Sequence, residues 1–337
     1  MQLNDGDVFM LSVFTAQHGA PRNGRCLRRG IIWGVLWGIV ALVGGSTPTR
    51  ADDDNNYRAQ IFVGNADGSD LKRLVHLPEY QSQGSPCWSQ DGRFIAFDAT
   101  RSQLGQQFFD GHLIVVNADG TNPRDLGPGI LPSLSPKGNR VAYCRHPNIG
   151  APGVYITDLS DPDNAGLVDE KGWGAEWSPD GTRLAYTRDK NLQIFDLIEG
   201  TSTPVLDVDQ SGISQIHWNF CWSSDSRRIA FKGTTTDEKE VLAIANVDGE
   251  NQKVHIVFEG NLGPAVTWHP VQNEILIERY LETPSGFPSL FRVNLDRPGE
   301  AVRMPSRPVD RRLRNAAFSP DGKRLAVSVF RREQGDE

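Results

Sequence analysis

Basic excess is missing from this chain: 35 Lys and Arg stand against 42 Asp and Glu, a formal net charge of −7. That balance argues against nucleic acid as a partner. Cysteine is scarce, with 4 in 337 residues. Cys87, Cys144 and Cys221 lie beyond the N-terminal segment and read as core thiols of a fold that needs no disulfide. No G-x-S-x-G nucleophile elbow occurs, which argues against a serine-hydrolase domain. His76, His112, His146, His217, His255 and His269 are scattered and never paired at ligand spacing, which argues against a histidine metal cluster. Neither a metal nor a cofactor is expected.

Long apolar runs are scarce too. Ile31–Gly45 carries no charge, yet as a helix it would reach only about 22 Å, short of a ~30 Å hydrocarbon core. It follows "RNGRCLRR" (22–29) and precedes "STPTRA", the basic, apolar, small-residue order of a secretory signal. Residues 1–51 therefore read as a leader cleaved after Ala51, leaving a short tail at 52–56. The first twenty residues do not fit a signal and read either as a long leader or as an upstream start, with Met10 or a later start being used. A retained anchor at 31–45 is the alternative. Without the leader's five Arg and two Asp, 30 basic and 40 acidic residues remain, a net charge of −10. An exported, soluble, monomeric protein without stable membrane insertion is the expectation.

What is present is repetition. "WSPDGTRLAYT" begins at Trp177, and counterparts begin at Trp88, Leu134, Trp222, Trp268 and Phe318, at intervals of 43–50 residues. A second phrase alternates with it: "QIFVGNADG" (60–68), "HLIVVNADG" (112–120), "GVYITDLSD" (153–161), "LQIFDLIEG" (192–200), "VLAIANVDG" (241–249) and "LFRVNLDRP" (290–298). "SPDG" and "NADG" suit tight hairpins, in which Gly181 takes φ > 0 and the serine and aspartate bond local backbone. The flanks are short and rich in β-branched and aromatic residues, as strands are. Four strands per ~45 residues is a propeller period. The spacing predicts an all-β, six-bladed propeller over 57–330 with a C-terminal tail at 331–337. The tryptophans would pack between blades. Ala96, Ala142, Ala185, Ala230 and Ala326 mark one crowded strand position. The chain opens on third- and fourth-strand phrases and ends on first- and second-strand phrases. The last blade is therefore expected to be shared by both ends, which removes exposed sheet edges.

These phrases resemble the repeats of the TolB-type six-bladed propeller family over residues 57–330. The resemblance implies the fold and leaves several functions open, because such repeats serve non-enzymatic scaffolds, propeller domains of serine peptidases and some polysaccharide lyases. The family's namesake is a periplasmic component of the Tol–Pal envelope system with an α/β domain before its propeller. Here only Asp52–Asn56 separate the leader from the first strand, so the propeller is expected without that domain.

The expected function is a non-catalytic, exported module that binds a protein or peptide. The alternative is an enzyme acting on a carbohydrate or peptide in the channel. Partner contacts are expected on the face formed by the second-to-third strand and blade-to-blade connections, opposite the hairpin turns. Long stretches there are 98–111, with Phe108 and Phe109, 232–240 and 279–289. Blade approaches add Trp173, His217 and Trp218, and an Arg311–Arg312–Arg314 cluster in which Arg312 is the chosen contact. Aromatic and Arg residues are common interface anchors. The competing reading makes Trp173 and Trp218 plugs of the channel mouth.

Overall fold

The computed structural model describes residues 57–102, 110–206, 211–248, 254–280, 288–304 and 312–332. The leader 1–51 and the tail 52–56 lie outside them. Contacts divide the chain into Met1–Ser46 and Thr47–Glu337, and every described residue belongs to the second unit.

Among the described residues the 24 regular elements are all strands. They run β1 (Tyr57–Asn65) and β2 (Lys72–Arg73), then β3 (Ser82–Trp88), β4 (Phe94–Thr100), β5 (His112–Asn117) and β6 (Arg124–Pro128). Next come β7 (Ile130–Leu134), β8 (Arg140–Arg145), β9 (Gly153–Asp158) and β10 (Asp161–Asp169), then β11 (Trp173–Trp177), β12 (Arg183–Arg188), β13 (Asn191–Asp196) and β14 (Thr201–Pro204). They continue with β15 (Ile213–Trp222), β16 (Arg228–Thr235), β17 (Glu240–Asn246) and β18 (Val254–Glu259). The chain finishes on β19 (Leu262–Trp268), β20 (Glu274–Tyr280), β21 (Pro288–Asn294), β22 (Ala301–Arg303), β23 (Arg312–Phe318) and β24 (Arg324–Arg332).

Four sheets are four-stranded antiparallel meanders, and a fifth has eight strands in the order β23-β24-β1-β3-β4-β5-β6, with β2 paired to β1. The arrangement is that of a β-propeller. Within the eight-stranded sheet, the β1–β3 join is a single parallel pair, Ala59 with Ser82. By contrast β1 pairs antiparallel with β24 over its whole length, from Tyr57↔Arg332 to Asn65↔Arg324. The C-terminal strand thus runs past 330, where a tail was expected to begin.

The repeated turn is built from its own side chains. Ser178 Oγ donates to Asp180 Oδ1 at 2.6 Å and accepts the Arg183 N–H at 3.0 Å, while the Gly181 N–H reaches the Ser178 carbonyl at 2.9 Å with Gly181 at φ 75°. In "WSSDS" Ser226 stands in the glycine place at φ 58°, a conformation costly for a residue with a Cβ. Its hydroxyl accepts the Asp180 N–H of the preceding repeat at 3.0 Å, which offsets part of that cost.

The tryptophans sit between neighbouring repeats, as expected. Trp88 Nε1 donates to the Ala317 carbonyl at 3.2 Å, and Trp222 Nε1 to the Glu176 carbonyl at 3.0 Å. In three repeats the arginine that opens the "RLAYT"-type strand supplies the other half of the contact. Arg324 lies 4.6 Å over Trp88, Arg183 5.2 Å over Trp222 and Arg228 4.9 Å over Trp268. Each pair adds a cation–π attraction to the buried ring area.

Candidate functional site along the propeller axis

The residue before each opening aromatic or leucine pairs with the second-strand position that is alanine in five of the six repeats. The pairs are Cys87↔Ala96, Ser133↔Ala142, Glu176↔Ala185, Cys221↔Ala230, Thr267↔Leu276 and Ala317↔Ala326. These six equivalent positions ring one central cavity of about 270 Å³. Its walls come from β3, β7, β11, β15, β19 and β23. At one end it is bounded by the third residue of each turn phrase: Gln90, Pro136, Pro179, Ser224, Pro270 and Pro320. Residues of the turn phrases, expected on the face away from the partner contacts, thus border this cavity.

Each of the six wall strands carries a bulge below that ring, seen as a register shift against its partner. Ser85, Leu131, Gly174 and Asn315 take φ of 47°, 54°, 61° and 47° there. The bulges free backbone groups, and one strand position answers them. Asp98 accepts the Leu131 N–H at 3.0 Å, Cys144 Sγ the Gly174 N–H at 3.1 Å and Glu278 Oε1 the Asn315 N–H at 2.7 Å. Lys232 donates to the Leu262 carbonyl at 2.6 Å and Ser328 to the Gln83 carbonyl at 2.7 Å. All five reach from the second strand of one repeat to the first strand of the next. Thr187, at the same position, bonds the Trp173 carbonyl of its own repeat at 2.7 Å. Burial pushes the carboxyls of Asp98 and Glu278 above the usual range, and these hydrogen bonds act against it.

Glu176 is the one charged residue among the cavity's described walls. Its Oε2 accepts the Ser133 hydroxyl at 3.1 Å, and that hydroxyl accepts the Trp177 N–H at 3.0 Å. Burial pushes the Glu176 carboxyl up to about 7, against which Ser133 acts. Cys87 and Cys221, from different repeats, both sense it. Burial first and the Glu176 charge second raise the Cys87 thiol to about 12 and raise that of Cys221 as well. Both thiols are free and half-buried on the cavity wall. That corrects the expectation of buried core cysteines, which holds for Cys144 alone. Among the described residues, no group of three or more His, Cys, Asp or Glu is placed to hold a metal ion.

No family model matches the chain. A segment of 92 residues is 35% identical to the Tol-Pal system protein TolB of Alcanivorax borkumensis, covering 27% of this chain and 20% of that relative. The match thus spans about a fifth of the relative's length. Among solved structures, TolB from Acinetobacter baumannii superposes with a TM-score of 0.56 at 16% identity, over 84% of this chain and 65% of that one. A candidate TolB from Agrobacterium tumefaciens gives 0.62 at 19% identity, over 83% and 99%. The chain has a TolB-like β-propeller fold.

In this TolB-like propeller the contact residues expected from sequence divide. Phe108 and Phe109 lie outside the described residues, as does the side chain of Arg312, whose backbone pairs with Phe330 in β23–β24. His217 and Trp218 were expected in a connecting segment, but both lie inside β15. Trp173 likewise opens β11. The 232–240 stretch is mostly strand as well, turning between Thr235 and Glu240. The inner strands simply continue through the bulge towards the connection face. Trp173 is half-buried, packs against the Leu184–Tyr186 core and meets the His146 ring edge-on at 6.1 Å, so it acts as core. His217 Nε2 lies 2.9 Å from Thr234 Oγ1, and burial, then Lys232, holds its ring down to about 4, neutral at physiological pH. Trp218 differs from both: it is 38% exposed and lines the cavity. Its carbonyl lies where a Cβ on Gly174 would come within 2.9 Å, so glycine at φ 61° lets the Trp218 backbone close over the axis.

Proposed function

We propose that the chain is an exported, non-catalytic propeller that binds a protein or peptide segment at the axial mouth carrying Trp218. The observation that carries this reading is the exposed indole at the rim of a cavity walled by six equivalent strands. An exposed tryptophan is costly in water and is the commonest kind of interface anchor. The likeness to TolB, a Tol–Pal system protein, supports a protein partner in the cell envelope. The eight-stranded sheet is two blades sharing one edge pair, which makes six blades, the last completed by β1 and β2 from the N-terminal side. Residues 1–51 direct export and leave a mature chain that begins near Asp52 and works as a monomer.

The test is capture from envelope extract followed by cross-link mapping, with wild type and Trp218→Ala side by side. Cross-links near Trp218 and at least a tenfold loss of capture by the variant are expected. Cross-links confined to the outer strands β10, β14, β18 or β22, with capture by the variant undiminished, refute the reading. N-terminal sequencing of the envelope form tests the leader, and an intact Met1 or Met10 terminus would refute it.

A further inference from the structure

We infer that the axial cavity is a receptor for one cationic group, an ammonium or guanidinium on a basic side chain of a bound peptide, with Glu176 as its counter-charge. The comparison that carries this is internal to the molecule. At the ring position the other five repeats place Cys87, Ser133, Cys221, Thr267 and Ala317, all small and uncharged. The architecture therefore does not need a carboxylate there. Glu176 is held on an interior wall by a single side-chain donor, Ser133, and no Lys, Arg or His shares the described walls. A carboxylate so placed is stabilised by few partners and lacks a counter-ion. Ser133 donates to one of its oxygens, Oε2.

The remaining features fit a cation. At about 270 Å³ the cavity is smaller than the roughly 300–1,000 Å³ of sites for drug-sized ligands, so it suits one or two side chains and not a folded element. Trp218 lines the same cavity, and an indole face attracts ammonium and guanidinium groups. The two thiols facing Glu176 stay neutral at physiological pH because burial and that carboxylate hold them protonated, so no second charge develops on the walls. The site stands on these walls alone, and only the peptide source of the cation rests on the function proposed above.

Calorimetric titration of the full chain with defined probes tests both parts. Acetyl-Gly-Lys-Gly-amide and acetyl-Gly-Arg-Gly-amide are set against acetyl-Gly-norleucine-Gly-amide, and n-butylammonium against n-pentanol. The cationic members are expected to bind at least about tenfold more tightly than the neutral ones, and Glu176→Gln to remove that preference. Butylammonium binding without a Lys or Arg peptide preference would uphold the cation site and overturn the peptide source. Equal binding of charged and neutral probes, or response to sodium or calcium chloride alone, overturns the site. The wild type gives a second measure that needs no variant. Cation affinity should weaken as pH falls from 8 to 5, because Glu176 takes up a proton near 7 while Cys87 and Cys221 remain neutral. A flat profile counts against Glu176 whatever the variant does.

Discussion

Replacing Glu278 with Ala is expected to be the most damaging single change among the second-strand residues that bond the bulges. Glu278 is 0% exposed and Arg314 5%. Glu278 Oε2 lies 3.5 Å from Arg314 Nε, and Oε1 accepts the Asn315 N–H at 2.7 Å. Removing the carboxylate takes one counter-charge from the buried Arg314 guanidinium and the acceptor from the half-buried Asn315 N–H. Breaking a buried pair from one side costs about 3–5 kcal/mol. The 3.5 Å separation is loose for a charged hydrogen bond, so the lower end, about 3 kcal/mol, applies. A loss of that size should lower Tm by roughly 6–12 °C. Urea unfolding followed by tryptophan fluorescence and by calorimetry measures both quantities. The decisive comparison is the double variant Glu278→Met with Arg314→Met, which removes both charges and keeps apolar volume. It should recover most of the loss, since a buried pair is often no better than well-packed apolar residues. A single-variant loss below ~1 kcal/mol would refute the reasoning, as would a double variant no more stable than the single.

Two further outcomes follow from the same contacts. Glu176→Gln should be as stable as wild type below about pH 4.5, where the carboxyl is protonated in both states, and more stable by about 1–3 kcal/mol above pH 7. The sign follows from a folded-state value raised to about 7: that advantage of the protonated wild type is lost as pH rises through it, and parallel melts at pH 4 and pH 8 measure it. Truncation after Arg314 should abolish cooperative melting, because it removes β24, whose residues 325–329 are fully buried and pair with β1.

The periodic features of the fold were legible, and the individual ones were not. The strands, the turn chemistry of Ser178, Asp180 and Gly181, and the seating of Trp88 and Trp222 between repeats each recur. Recurrence is a signal that a single sequence carries in full. The pairing of the two chain ends could be read from phrase order, since Ile61 and Val327 sit in complementary halves of the same pattern. The site was read less well. Trp218, expected as a partner contact, is exposed and lines the cavity, whereas Trp173 packs against the Leu184–Tyr186 core. Glu176 has no motif of its own, although the residues before the six opening positions, compared with one another, single it out. The second-strand position that bonds the bulges is hidden more deeply. Asp98, Cys144, Thr187, Lys232, Glu278 and Ser328 share no chemistry beyond an ability to hydrogen-bond, so no motif search joins them.

The register of β1 against β24 also sets a clock. Tyr57 finds its partner only when Arg332 has left the ribosome, about 275 residues later. At ~5–20 residues per second that wait is roughly 14–55 s. Throughout it, a nine-residue strand has no partner on the side it will share with β24. An unpaired edge of that length invites association with other chains. The pairing that joins the two ends of the chain therefore waits for β24.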